Sequence, residues 1–177
     1  MHPANWIETA RLLLRPVQWY DLSDLQALKA DPRVFAQMYG GVCTPLRAAE
    51  ELAQDIAFWA KYGVGIWTVR ARQGGAFLGI VGLMEHPEGL GLALRFALWP
   101  EARGRGLARE AAGAALRFAH DQAEIPRVIA VAREDNFASR MVLGGIGMVE
   151  CGRFLRHGHT MLIYESRRAE EPRPGRR

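Results

Sequence analysis

The hexapeptide Arg103-Gly104-Arg105-Gly106-Leu107-Ala108 constrains this chain more than any other stretch. It joins two segments of different character. Residues 90–99 form a short apolar run, broken only by Gly91 and Arg95 and stopped by Pro100, as expected of a buried strand. Residues 107–122 are alanine-rich and set Leu107, Ala111, Ala114 and Phe118 at helical spacing. A glycine turn that opens a helix is a natural anion site, because the first helical amides lack acceptors and the helix dipole adds positive charge there. Gly104 and Gly106 allow close approach to the backbone, and Arg103 and Arg105 supply full charges. This chemistry suits a pyrophosphate.

Three phosphate-binding loops compete for the assignment. A Walker loop requires G-x-x-x-x-G-K-[ST], but the only lysines, Lys29 and Lys61, follow no such glycine pair. A dinucleotide fingerprint requires G-x-G-x-x-G, and here Arg109 stands where the third glycine belongs. Gly89-Leu90-Gly91 is a similar decoy. The pattern R/Q-x-x-G-x-G/A is met in full by Arg103, Gly106 and Ala108.

With that loop the chain resembles the GNAT superfamily of acyl-CoA-dependent N-acyltransferases, in particular its ribosomal-protein N-acetyltransferase branch. Three further segments carry the resemblance: Thr9 to Pro16 as the opening strand, Phe77-Leu78-Gly79-Ile80-Val81-Gly82 as the central strand, and Asn136-Phe137-Ala138-Ser139-Arg140 through Gly145-Ile146-Gly147-Met148 as the late N-x-x-S helix and the strand start after it. Together they span residues 9 to about 165 in the family's order. The resemblance implies a mixed α/β fold with a mostly antiparallel central sheet and the element order β-α-α-β-β-β-α-β-α-β-β.

It also implies acetyl-CoA as cosubstrate, with no metal, and a primary amine as acceptor, either a protein N-terminus or a small molecule. Backbone amides of Arg103, Gly104, Arg105, Gly106, Leu107 and Ala108 are then expected to hold the pyrophosphate. The strand at Phe96, Ala97 and Leu98 is expected to splay from its neighbour and pair with the pantetheine amides, in the manner of strand addition. Asn136 is expected to reach the pantetheine arm, although an asparagine there serves equally as a helix N-cap. Ser139 and Arg140 fall toward the adenosine end. Acceptor choice is expected from residues 35–44 and 154–159. Arg33, Phe35, Met38 and Tyr39 read either as pocket or as core.

Two positions depart from the family pattern. Leu143 stands where many members carry a tyrosine acid, and Ala93 or Leu94 where many carry a glutamate. Proton handling therefore falls to other candidates: Ser139 as partner of the leaving thiolate, and Glu85 or His86 at a strand end, with Glu134 and Asp135 beside Asn136. His86, Glu134 and Asp135 read equally well as surface groups. Loss of the usual pair also leaves open a non-catalytic CoA-binding sensor. An arginine-rich RNA- or ribosome-binding module is a third reading.

Composition argues against that third reading. Net charge is +4 over 177 residues, but residues 167–177 hold five arginines and two glutamates, so the remainder carries only +1. We read residues 1–166 as one domain and residues 167–177 as a disordered basic tail. Nearly half the residues are apolar, enough for a sizeable core. Cys43 and Cys151 are far apart and form no metal or disulfide pattern. Neither a signal-like segment nor an apolar run long enough to span a membrane is seen, and a cytoplasmic enzyme, monomer or homodimer, is expected.

Along the chain we expect strands at 11–17, 66–70, 76–84, 90–99, 127–132, 148–155 and 159–165. Helices are expected at 21–31, opened by Asp21 with Asp24 as a capping pair; at 45–62, between Thr44 and Gly63; at 107–122; and at 136–143, stopped by Gly144-Gly145.

Overall fold

Leu12 and Leu14 are fully buried while Leu13 and Arg15 are half-exposed, the alternation of a strand with one covered face. The computed structural model, which describes residues 3–169, places them in β2 (Leu12–Pro16). This strand lies between β1 (Ile7–Glu8) and β3 (Ile66–Ala71), and the sheet continues through β4 (Phe77–Glu85), β5 (Leu92–Leu98) and β6 (Arg127–Arg133). It ends with β8 (His159–Arg167) and then, on the outer edge, β7 (Val149–Arg156). Every pairing is antiparallel except β5 with β6, where a single register pair, Ala93 with Ile129, joins the two strands. The architecture is the mixed α/β sheet expected from the sequence, with two additions: β1 and a short helix before the long one.

Five helices flank the sheet: α1 (Leu22–Ala30), α2 (Pro32–Phe35), α3 (Pro45–Tyr62), α4 (Leu107–Asp121) and α5 (Phe137–Gly145). α4 packs on β2, β4, β5 and β6, and α1 packs against α3 and β4. The ends of α3 follow the sequence signals. Thr44 accepts a hydrogen bond from the Arg47 amide (3.2 Å), Pro45 fills the first turn, and Gly63 closes the helix at φ +64°. Trp59 of α3, Trp67 of β3 and Phe118 of α4 meet edge to face, with centroids 4.7 to 6.4 Å apart. Both indole N–H groups are satisfied by carbonyls, Trp59 on Ile66 and Trp67 on Asn5, each at 2.8 Å.

Gly79 and Gly82 let β4 press against both neighbours. A Cβ at Gly79 would sit 2.1 Å from the Ala97 carbonyl, and one at Gly82 2.2 Å from that of Gly65. The close packing holds β5 on β4 along its whole length, from Glu85–Leu92 to Gly79–Leu98.

Several local expectations change. Asp21 does not cap α1. Its buried carboxylate accepts the Gln18 amide (2.9 Å) and is held by Arg15 (2.5 Å) and Arg70 (3.0 Å), because two guanidiniums satisfy a buried carboxylate better than a helix amide would. Directly after α1 the Asp31 carboxylate accepts the Arg33 amide (2.8 Å) and starts α2, a short helix not expected from the sequence. α5 runs through Gly144 and Gly145. The Ile146 amide still reaches Val142 (3.1 Å), and the left-handed residue comes only at Gly147, φ +88°. Arg167 belongs to β8, paired with Arg127, and the Arg168 amide donates to Pro126 (2.9 Å). Arg167 and Arg168 are thus held by the sheet and by Pro126; residues 170–177 of the expected tail lie outside the described residues. Among the described residues no helix is long and apolar enough to cross a membrane.

Candidate functional site

One cavity of about 920 Å³ runs from the Arg103–Ala108 loop, through the gap between β5 and β6, to the loop after α2. The gap follows from the topology. β5 stays on β4 while β6 turns with β8, so beyond Ala93 and Ile129 the two strands part. The Trp99 amide donates to Leu78 and the His86 amide to Gly91, which fixes the phase of the β4–β5 ladder. By that phase Phe96 and Leu98 turn their main-chain groups into the gap. The Leu98 carbonyl accepts the Arg103 guanidinium (3.2 Å), whereas no partner holds the Phe96 amide and carbonyl among the described residues. This is a half-made ladder, ready to receive an amide-bearing chain.

At one end of the gap the loop meets α4. Gly104 and Gly106 both sit at φ +74°, a conformation that suits glycine. The first bond of α4 runs from Glu110 to Gly106 (3.0 Å), so the amides of residues 104–109 have no acceptor within the helix. A Cβ on Gly104 would meet nothing within 4 Å, so the cradle is open above it. The loop is braced from outside: Arg11 donates to the Arg105 carbonyl (2.8 Å) and to Glu110 (2.7 Å), and Glu110 also accepts from Thr9 (2.6 Å). Backbone cradle and half-ladder together fit a pyrophosphate joined to a linear diamide.

Of the expected contacts, Phe96, Ala97, Leu98, Arg103, Gly104, Gly106, Leu107, Ala108, Asn136 and Ser139 line this cavity. Asn136 caps α5, accepting the Ser139 amide on Oδ1 (3.1 Å), and so holds the half-exposed Ser139 at the cavity wall. Two expected side chains are engaged elsewhere. Arg105 donates to the Glu101 carbonyl (3.3 Å), and Arg140 to Tyr164 Oη (3.3 Å) and the Glu134 carbonyl (2.9 Å). Leu143, 1 % exposed, and Leu94, 4 % exposed, are buried apolar side chains of the core that back onto the cavity and offer no group for proton transfer.

The two strand-end candidates separate. Glu85 is exposed and hydrogen-bonded to Tyr62 Oη (3.1 Å), outside the cavity lining. His86 is buried and lines the cavity; its Nδ1 accepts the Glu88 amide (3.3 Å), and burial lowers its pKa, with Arg156 adding to the effect, so the ring is neutral near pH 7. Glu134 and Asp135 are exposed, Asp135 held by Arg133 (2.5 Å). Of the acceptor-region residues, Phe35 belongs to the core, whereas Arg33, Met38 and Tyr39 line the cavity, Arg33 exposed there and paired with Asp31 (2.6 Å).

The far end of the cavity is charged in a way no motif announced. Lys29 on α1, 3 % exposed, pairs with Glu51 on α3 (2.6 Å), and Glu51 also accepts Arg47 (3.1 Å). One turn on, Asp55 faces the same space with no hydrogen bond or ion pair to any described residue; burial pushes its pKa up to about 6, against the pull of Lys29 and Arg95. Arg95 enters from β5 and contacts Met84 Sδ (2.8 Å). Arg156, at the end of β7, lies over the Tyr39 ring (4.7 Å), and Tyr39 meets His86 edge-on (6.2 Å). Residues 35–44 and 154–159, expected to flank the acceptor, thus meet through Tyr39 and Arg156. Arg95 left one trace in the sequence, as the lone charge in the apolar run of residues 90–99. Asp55 left none, being one of many charges on an amphipathic helix.

Residues 11–149 match a protein-family model described as "Acetyltransferase (GNAT) domain". Among solved structures, an acetyltransferase from Agrobacterium tumefaciens str. C58 is 25% identical, with TM-score 0.79 and coverage of 91% of this chain and 93% of that one. RimL, a ribosomal L7/L12 α-N-protein acetyltransferase solved in complex with coenzyme A, is 16% identical, with TM-score 0.76 over 92% and 97% of the two chains. A spermidine N-acetyltransferase, SpeG, from Vibrio cholerae is 15% identical, with TM-score 0.71 over 90% and 95%. At that distance the last two share the fold.

Proposed function

The chain belongs to the GNAT acetyltransferase family, and from that membership we propose that it moves the acetyl group of acetyl-CoA to a primary amine, on a protein N-terminus or a small molecule. The observation that carries this reading is the one-sided splay of β5. It leaves the Phe96 amide and carbonyl free beside a loop whose amides from residue 104 to 109 are also free. The loop amides hold the pyrophosphate, with Arg103 beside them, and Phe96 completes its ladder with the amides of the pantetheine arm.

Acetyl-CoA supplies an activated thioester carbonyl. Asp55 accepts a proton from the acceptor ammonium, and the free amine then forms the new C–N bond as the C–S bond breaks. The Ser139 hydroxyl, without a partner among the described residues, hydrogen-bonds the departing thiolate. A second proton from the nitrogen ends on sulfur, and the products are the N-acetyl amide, CoA as thiol and one proton released through Asp55. His86 shapes the rim rather than the proton path. Its neutral ring is packed against Tyr39, with one nitrogen occupied by the Glu88 amide.

Titration calorimetry with acetyl-CoA and CoA, followed by a thiol-release assay over a panel of amines, tests the reading. Micromolar binding and amine-dependent CoA release are expected. Absence of CoA binding by folded protein would overturn it. Binding without turnover of any amine would favour a CoA sensor.

A further inference from the structure

The acceptor end of the cavity holds more positive charge than its own carboxylates neutralise. Lys29 and Arg47 share Glu51, and Asp55 is the one other carboxylate on this wall. Arg95 and Arg156 have no carboxylate within ion-pair distance among the described residues. Arg95 contacts a thioether sulfur and the Phe35 ring, 6.0 Å away, and feels Asp55 and Glu51 only beyond ion-pair distance. Arg156 finds the Tyr39 face, and its Nη1, shielded from solvent, has no hydrogen-bond partner. Arg15 and Arg70 also carry an unpaired buried nitrogen, yet both are anchored on Asp21 through another. Arg156 is anchored on no carboxylate. A sheltered guanidinium without a counter-ion is costly unless a ligand completes it, and guanidinium geometry suits a carboxylate.

We infer that the acceptor is an amine bearing a carboxylate a few bonds from its nitrogen, held by Arg156 and Arg95 while Asp55 faces the ammonium. The inference rests on the acetyltransferase reading and deepens it. Asp55 matches the single ammonium and the two arginines match an acid. A polyamine would set its further ammonium groups against two uncompensated guanidiniums, a like-charge mismatch that rejects a ligand. The carboxylate can come from a free amino acid or from an acidic side chain next to a peptide N-terminus, and the two sources share one recognition chemistry. Tyr39 keeps the Arg156 guanidinium aimed inward by stacking on it, which leaves its edge free for hydrogen bonds.

The test is a thiol-release assay with the full chain and saturating acetyl-CoA. The probes are the proteinogenic amino acids, their carboxamides, short peptides with and without aspartate or glutamate in the first two positions, and spermidine. For at least one acid–amide pair, free or peptide, kcat/KM should favour the acid by about tenfold or more, the scale of one charge-assisted bidentate contact. Arg156→Gln should collapse that ratio to within about threefold of unity, and Arg156→Lys should restore part of it. Calorimetric CoA binding identifies folded variants, and should R156Q fail to fold, the wild-type acid-to-amide ratio decides alone. Equal turnover of acids and amides, a preference for spermidine, or a ratio untouched by R156Q would overturn the inference. Failure of wild-type protein to bind CoA would overturn the underlying reading instead, so the two failures are distinct. If only acidic peptides turn over, the inference stands with a peptide as the source of the carboxylate; if only free acids do, with an amino acid.

Discussion

The two ends of the cavity are built from different materials. At the loop end the ligand-directed groups are main-chain amides, from residues 104–109 and from Phe96, and their direction is set by two left-handed glycines and by the divergence of β5 from β6. At the acceptor end they are ionised side chains from α1, α3, β5 and β7, joined by Tyr39 from the loop after α2, which meet only once the sheet has formed. Main-chain groups offer the same chemistry whatever the neighbouring side chains, so that end suits a cosubstrate that never changes. Charged side chains are set one position at a time, so the other end can be retuned for a new acceptor while the backbone stays as it is.

The largest effect should come from disturbing the main-chain end. Gly106→Glu puts a carboxylate and a Cβ at φ +74°, beside amides meant for an anion. Calorimetry should detect no CoA binding at concentrations that saturate the wild type, with circular dichroism verifying the fold. Retained binding would place the pyrophosphate elsewhere.

The next effect belongs to the charged end and has two signs. Asp55→Asn should lower kcat by about 10²- to 10³-fold, the usual worth of a positioned base. It should also stabilise the protein at pH 7.5. Burial raises the Asp55 pKa from 3.8 to about 6, so the folded state favours the protonated acid and charging it on the way up through pH 6 costs stability. The asparagine escapes that cost, at most about 3 kcal/mol for a shift of about two pH units. The advantage should be full above pH 6 and vanish near pH 4, as melting temperatures of both proteins across that range would show. In the wild type kcat should fall below pH about 6, with Lys29, Glu51 and Arg95 as the charged neighbours that set the inflection. A pH-independent kcat, or an unaltered kcat in D55N, would remove Asp55 from the proton path.

A smaller effect is expected at the junction of the two ends. Ser139→Ala deletes the hydroxyl proposed for the departing thiolate and leaves the amide that Asn136 caps. A drop of about tenfold in kcat, with CoA affinity within about twofold of wild type, is the worth of one hydrogen bond to a developing charge. Weaker CoA binding with unchanged kcat would move Ser139 from the chemistry to the cosubstrate arm.

The same division explains what the sequence made legible. The turn at Arg103–Ala108, the strand before it and the Asn136 cap were legible because glycines, caps and periodicity report local conformation. Glu85 stands at a strand end, where a carboxylate reads as a proton-transfer candidate, but it is hydrogen-bonded to Tyr62 outside the cavity lining. Asp55 gives no signal in the sequence, because a carboxylate on the amphipathic α3 looks like any solvated charge until the elements carrying Lys29 and Arg95 assemble around it. Burial raises its pKa, and burial here is a property of the assembled elements. Arg95 sat in plain view in an apolar run, where a lone charge needs a reason to be buried.

Arg11 tests whether the main-chain end is as independent of side chains as the comparison holds. It lies in the segment read as the opening strand, yet its guanidinium reaches 94 positions along the chain to the Arg105 carbonyl and also holds Glu110. Both contacts are on the outside of the loop, and Arg11 is half-exposed, so they add little to stability. Their effect should be preorganisation, by keeping the Arg105 peptide turned so that the neighbouring amides face inward. Arg11→Met should weaken CoA binding by about two- to threefold and leave the melting temperature within about 2 °C. A loss tenfold or greater would mean that the cradle depends on a side-chain brace as strongly as the acceptor end depends on its arginines. An unchanged Kd would mean that Gly104 and Gly106 hold the loop by themselves.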